Sequence, residues 1–197
     1  ETREQQGMSS IHLVRHGQAS FGAADYDLLS ERGEQQARVL GLALASTMPR
    51  VGQVVCGDMR RHRQTAEACL QAMARATDWN SDSDWNEFDH VRLIAALRPE
   101  YADHDALRAE LQAAPDPQRA LKSLFEQAMT RWVGGEHDDD YAETWTQFRA
   151  RCRRALAKLA DTLPPQADAL VFTSGGPIAA LAQDLLGIPD AQGYRLS

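Results

Sequence analysis

The chain has 197 residues, 43% of them hydrophobic and 25% charged, with a formal net charge of −7. That length suits one sizeable domain, or one domain with a small cap, and the composition is that of an ordinary globular protein able to bury a core without staples. The negative balance argues against a general nucleic-acid binder, because phosphate backbones attract basic faces, but a locally basic pocket for a small phosphorylated ligand remains compatible with it.

Taken in chain order, ETREQQGMSS lacks the apolar centre of a signal peptide. Met8 is the expected start of a single domain, 8–197, with residues 1–7 a tag or a disordered N-terminal extension. Residues 11–14 (IHLV) predict a buried strand running into the loop Arg15-His16-Gly17. Ser30 opens a helix with Glu31 in its first turn and Ala37, Leu40 and Leu44 at helical spacing. Residues 51–56 (VGQVVC) predict a second strand ended by Gly57, and Asp58 is placed to cap the helix that follows. Residues 77–84 read as a polar loop. From about 91 to 163 the pattern is helical, broken at 113–118 and 134–140. Residues 169–173 predict a third strand, followed by Ser174-Gly175-Gly176 and an apolar helix through Leu186.

This order predicts a three-layer α/β/α sandwich with a mainly parallel central sheet and a helical cap insertion over about 91–163. Ligands of such sheets sit at the carboxyl ends of the strands, where Arg15-His16-Gly17, Gly57-Asp58 and Ser174-Gly175-Gly176 fall. No apolar run approaches the ~20 residues of a membrane span. Cys56, Cys69 and Cys152 are odd in number, far apart and without metal-ligand spacing, so they read as reduced thiols and the expected location is cytoplasmic.

In LVRHGQA, Gly17 lets backbone N–H groups approach an anion, Arg15 offers a planar fork for phosphate oxygens, and a neighbouring cation favours the neutral imidazole of His16. In GDMRRHRQTAEA, Arg61, Thr65 and Cys69 share one helix face, while Arg60 and Arg63 point elsewhere and read as solvated.

Together the two motifs resemble the histidine phosphatase superfamily in its phosphoglycerate-mutase-like branch. The pattern of that family is an RHG loop, an R-A-x-Q-T-A helix start, an acidic residue after a further strand and a late H-G-G turn. The resemblance spans residues 11 to about 190. It implies Arg15 and His16 as the RHG pair, with His16 the phosphoryl acceptor. It implies Arg61, three residues before Gln64, as the second phosphate-binding arginine, and Glu87 in WNEFD as the general acid, with Asp84 and Asp89 as neighbouring carboxylates. Gly17, Ser174 and Gly175 complete the implied phosphate clamp. No metal and no cofactor are implied.

Two departures stand out. Ser174 occupies the position of the second family histidine, so the group expected to donate to the phosphoryl oxygens is a shorter, neutral hydroxyl. His90 and His62 are the candidates for replacing it, although each reads first as an ordinary surface histidine. The chain also stops at GYRLS, where the family usually adds at least one more strand.

The implied reaction is hydrolysis of a phosphomonoester through phosphohistidine. Hydrolysis is favoured over mutase chemistry because the loop QASFGAADYDLLSERG lacks the Asn and Thr-Gly with which the family's mutases grip substrate. A phospho-ligand-binding module is the rival from another class. The expected partner is a small phosphorylated substrate or phosphate ion, with neither nucleic acid nor membrane, and the oligomeric state is not legible. Tyr101, Trp132, Tyr141 and Trp145 could line the pocket entrance, but their spacing reads first as helix core, and EHDDDYAE (136–143) reads as a solvated loop and helix start.

Overall fold

The computed structural model describes residues 8–20 and 27–189. The expectations for residues 1–7 and GYRLS, and the part of the RHG-loop reading that falls on 21–26, lie outside the described residues. Among the described residues, four strands form one all-parallel sheet: β1 (Ser10–Arg15), β2 (Val51–Cys56), β3 (Asn80–Ser81) and β4 (Asp168–Thr173), in the order β1-β4-β2-β3. Seven α-helices accompany them within the described residues: α1 (Glu31–Thr47), α2 (Arg60–Ala72), α3 (His90–Leu97), α4 (His104–Ala113), α5 (Pro117–Gly134), α6 (Trp145–Thr162) and α7 (Gly175–Leu186). The mixed α/β class with a parallel sheet is as expected.

The chain divides into two compact units. One holds the described residues up to Glu87 together with Cys152–Ile178; the other holds Phe88–Arg151 and the described residues from Ala179.

In the first unit, β4 is buried along its whole length, as a central parallel strand must be when both faces are covered. Leu170 and Phe172 point into a core with Val14, Val51, Cys56, Ala66, Cys69 and Leu70, against α1 and α2. Each such fully buried large side chain contributes about 2 kcal/mol of apolar transfer. Ala169, Val171 and Thr173 point to the other face and are equally buried. Ser30 caps α1, its hydroxyl accepting from the Gly33 N–H at 3.1 Å, as the sequence predicts. Two details differ from expectation. The polar stretch 77–84 contains β3, which pairs with Val55 and Cys56 through backbone alone. Asp58 does not cap α2, whose N-cap is Met59 without a side-chain bond; Asp58 pairs with Arg63 at 3.4 Å instead.

In the second unit, Phe88, Trp132, Trp145 and Phe148 form an aromatic core with ring centroids 5.1–5.8 Å apart. Tyr101, Trp132 and Trp145 are buried, so the core reading of these aromatics holds. Asp116 caps α5, with Pro117 in its first turn. Thr144 and Gln147 cap the start of α6 reciprocally. A further short 3-10 turn, Pro99–Ala102, separates α3 from α4.

Candidate active site

Register brings the strand ends together. Arg15 pairs with Thr173 and Cys56 with Phe172, so His16, Gly57 and Ser174 leave the sheet side by side. The His16 N–H donates to the Thr173 carbonyl at 2.9 Å and the Gly57 N–H to the Phe172 carbonyl at 3.0 Å, extending the ladder one step beyond the strands.

The His16 ring is fixed at both nitrogens. Nδ1 donates to the Gly17 carbonyl at 2.7 Å, which leaves the lone pair on Nε2, and the Arg61 Nε–H donates to that atom at 3.2 Å. Burial pushes the His16 pKa down to about 4; the Gly17 carbonyl and, more weakly, Asp27 oppose this, while the Arg61 and Arg15 cations reinforce it. At neutral pH the imidazole is therefore uncharged, with its nucleophilic nitrogen facing a guanidinium.

Arg61 is buried, as its place on the inner face of α2 predicts, and Arg60 and Arg63 are exposed. Its partner is Asp27, 2.7 Å away, a residue the sequence reading missed. The same carboxylate accepts from the Arg60 N–H at 2.9 Å, doing for the start of α2 what Asp58 does not. Thr65 donates to the Arg61 carbonyl at 2.7 Å and accepts from the Gly17 N–H at 3.1 Å. That N–H is thus already engaged. What Gly17 supplies is clearance, since a Cβ there would lie 2.3 Å from the Gly33 carbonyl oxygen. Arg15 is exposed and lies beside Gly175, where a Cβ would sit 3.4 Å from its Cζ.

Glu87 Oε2 accepts from the Gly176 N–H, 3.0 Å away, at the start of α7. Of its two neighbouring carboxylates, Asp89 caps α3 through the Arg92 N–H at 3.1 Å, and Asp84 lies 4.0 Å from Arg154. All seven residues expected at the site (Arg15, His16, Gly17, Arg61, Glu87, Ser174 and Gly175) belong to the first unit.

The surface reading of His62 does not hold. Its side chain is fully buried, and Nε2 lies 2.6 Å from the hydroxyl of Ser174, also fully buried. Its ring centroid is 5.8 Å from that of His16. Burial, then the Arg61 cation and His16, push its pKa down to about 3. His90 is the first residue of α3, in the second unit. Among the described residues, no group of three or more His, Cys, Asp or Glu is disposed to hold a metal ion, and no helix is long and apolar enough to cross a membrane.

The sequence pattern of the histidine phosphatase superfamily (branch 1) matches residues 11–197. The chain belongs to this superfamily. No curated protein matches it. Solved structures of the same fold include a mycobacterial glucosyl-3-phosphoglycerate phosphatase in complex with inorganic phosphate (22% identity, 94% of this chain and 82% of that one, TM-score 0.56). A phosphoglycerate mutase from Bacillus anthracis is similar at 18% identity over 91% of this chain and 81% of that one, with a TM-score of 0.59. So is a putative alpha-ribazole-5'-P phosphatase from Escherichia coli, at 19% identity over 96% and 85%, with a TM-score of 0.59. Superfamily members are phosphatases or mutases, and at that level the chain is an enzyme.

Proposed function

We propose that this histidine phosphatase superfamily member hydrolyses a small phosphomonoester through a phosphohistidine on His16. The observation that carries the reading is the state of the His16 ring, whose Nδ1 is tied to the Gly17 carbonyl and whose Nε2 lone pair faces Arg61. The substrate's phosphoryl oxygens sit between Arg15 and Arg61, with the Gly175 backbone and Ser174 completing the clamp. Nε2 attacks phosphorus as the ester P–O bond breaks, and Glu87 gives its proton to the leaving alkoxide. Glu87 then takes a proton from water. The resulting hydroxide attacks phosphorus, the P–N bond breaks, and phosphate leaves with His16 neutral again. Positioning and charge neutralisation are most of what phosphoryl transfer requires. Hydrolysis is proposed over mutase action because residues 18–33 contain neither an Asn nor a Thr-Gly pair. The three buried free thiols, Cys56, Cys69 and Cys152, fit a reducing, cytoplasmic setting.

The test is incubation with a reactive phosphomonoester, such as p-nitrophenyl phosphate, and an acid-free quench. His16 should carry an acid-labile phosphoryl group, and His16→Ala should lose both label and turnover. Equal labelling of the Ala variant would assign the nucleophile elsewhere.

A further inference from the structure

We propose that His62 is a positioning residue that acts through Ser174, so that the pair together does the work of the imidazole missing from the late turn. The proposal rests on the phosphohistidine reading for the identity of the ligand, a phosphoryl group on His16. Two departures from the family pattern carry it. Ser174 stands where the pattern has histidine, and His62, directly after Arg61, stands where R-A-x-Q-T-A has alanine. They are 112 residues apart in sequence, yet both are fully buried and their polar atoms meet at 2.6 Å. The ring has been moved from the turn to the helix, and the turn keeps a hydroxyl that the ring can reach.

The direction of this hydrogen bond follows from the rest of the ring. His62 Nδ1 is buried without a partner and lies against Gly57, where a Cβ would come within 2.3 Å of it. A proton on Nδ1 would be a buried donor with no acceptor, whereas a bare Nδ1 is only an unfilled lone pair, and orphaned donors are the rarer of the two in proteins. The proton therefore sits on Nε2 and is donated to Ser174 Oγ. The pKa pushed down to about 3 keeps the ring in this neutral form at every working pH.

Ser174 accepts from His62, and its own hydrogen is left to donate. It is not needed for capping. Ser174 precedes α7, and its carbonyl accepts from the Ile178 N–H at 3.4 Å. The N–H groups that a capping hydroxyl would meet are those two and three residues on. Gly176 N–H is held by Glu87 at 3.0 Å, and Pro177 has none. Residue 174 leaves the sheet beside residue 16, since Arg15 and Thr173 are paired in register immediately before them, and on this proposal the O–H is directed to a phosphoryl group held there. A hydroxyl that already accepts one hydrogen bond is a stronger donor of the next, so the chain His62 Nε2–H, Ser174 O–H, phosphoryl oxygen is polarised in one direction.

Three measurements test this. First, long-range ¹H–¹⁵N NMR of the folded protein should find His62 neutral with its proton on Nε2, and His16 in the opposite, Nδ1-protonated form. A proton on His62 Nδ1 would overturn the proposal whatever the protein's activity. Second, in a cycle on p-nitrophenyl phosphate, Ser174→Ala should lower kcat about a hundredfold with little change in KM, the usual cost of one transition-state donor. His62→Ala should lower it less, and should have no further effect once Ser174 is alanine. Equal effects of His62→Ala in both backgrounds would assign His62 a packing role only. His62→Gln, which keeps an N–H donor, should recover part of the loss and serves if the alanine variant does not fold. Third, the double exchange of His62→Ala with Ser174→His should restore turnover lost in His62→Ala. If the wild type turns over no phosphomonoester, the hydrolase reading fails by itself. The same cycle is then read in the affinity for inorganic phosphate, where non-additivity supports the relay and additivity, or no binding by the wild type, overturns it.

Discussion

Gly57→Ala is the sharpest structural perturbation of the site, because the only added group is one methyl. Its Cβ would lie 2.3 Å from His62 Nδ1, 3.0 Å from His62 Cε1 and 2.9 Å from Asn86 Oδ1. The ring cannot step aside freely, being fully buried and held at Nε2 by Ser174 at 2.6 Å. Overpacking of this kind costs about 1–3 kcal/mol. Displacing the ring far enough to break its bond with Ser174 leaves buried groups unmatched, for about 1–3 kcal/mol more. A total of about 2–6 kcal/mol corresponds to a fall in Tm of roughly 4–24 °C for a chain of this length. Thermal and urea unfolding followed by circular dichroism give the number. The control is the same substitution in a His62→Ala background, where only the Asn86 contact remains and most of the cost should vanish. If Gly57→Ala were equally damaging in both backgrounds, the clash with the ring would not be its cause. If it were harmless in the wild type, the close approach of Gly57 to His62 would be wrong.

Ser174→His alone should not raise turnover, despite restoring the family residue, because His62 already fills the adjacent space. A loss of about 1–3 kcal/mol in urea unfolding is expected, and increased kcat/KM in the single variant would refute this. Asp27→Asn should weaken the start of α2 and loosen Arg61, costing ~2 kcal/mol, while inorganic phosphate inhibits more strongly because Arg61 no longer shares its charge; unchanged inhibition would show that the carboxylate does not compete. His16 and His62 titrate at about 4 and about 3 when folded, against ~6.5 when unfolded. Below that value the unfolded chain binds more protons, so stability is fully present above pH 7 and is lost as the pH falls, by ~4 kcal/mol between pH 7 and 5. Urea unfolding at the two pH values measures this, His16→Ala should reduce the dependence by about one proton, and identical stabilities would contradict the buried, neutral rings.

Three of the four described strands were legible because β1, β2 and β4 contain mainly apolar runs of four to six residues that end at charged or glycine-rich loops. β3 was not, since its two polar residues pair through backbone and owe nothing to a hydrophobic period. Within the site, Arg15, His16 and Arg61 follow from local motifs, because each sits one step from a strand end or a helix start. Asp27 carries no local signal; its meaning appears only when the fold brings it to Arg61 across 34 positions. His62 did carry a signal, its mismatch with the alanine of the helix motif, but that mismatch gains significance only beside the serine of the late turn. Asp58 misled for a related reason, because a capping residue in the right place can be pre-empted by a carboxylate from elsewhere in the chain.

The missing side chain at position 57 also constrains how this arrangement is reached by single substitutions. A ring at position 62 requires a vacancy at 57, and on the proposed relay a serine at 174 works best when the ring is present. Glycine therefore precedes the ring, while histidine at 62 and serine at 174 should each be costly without the other. Descendants that carry serine in the turn should inherit the other two residues with it, and reversion of any one of the three should be more harmful than reversion of all. Those with serine but a bulky residue before the helix should have lost turnover.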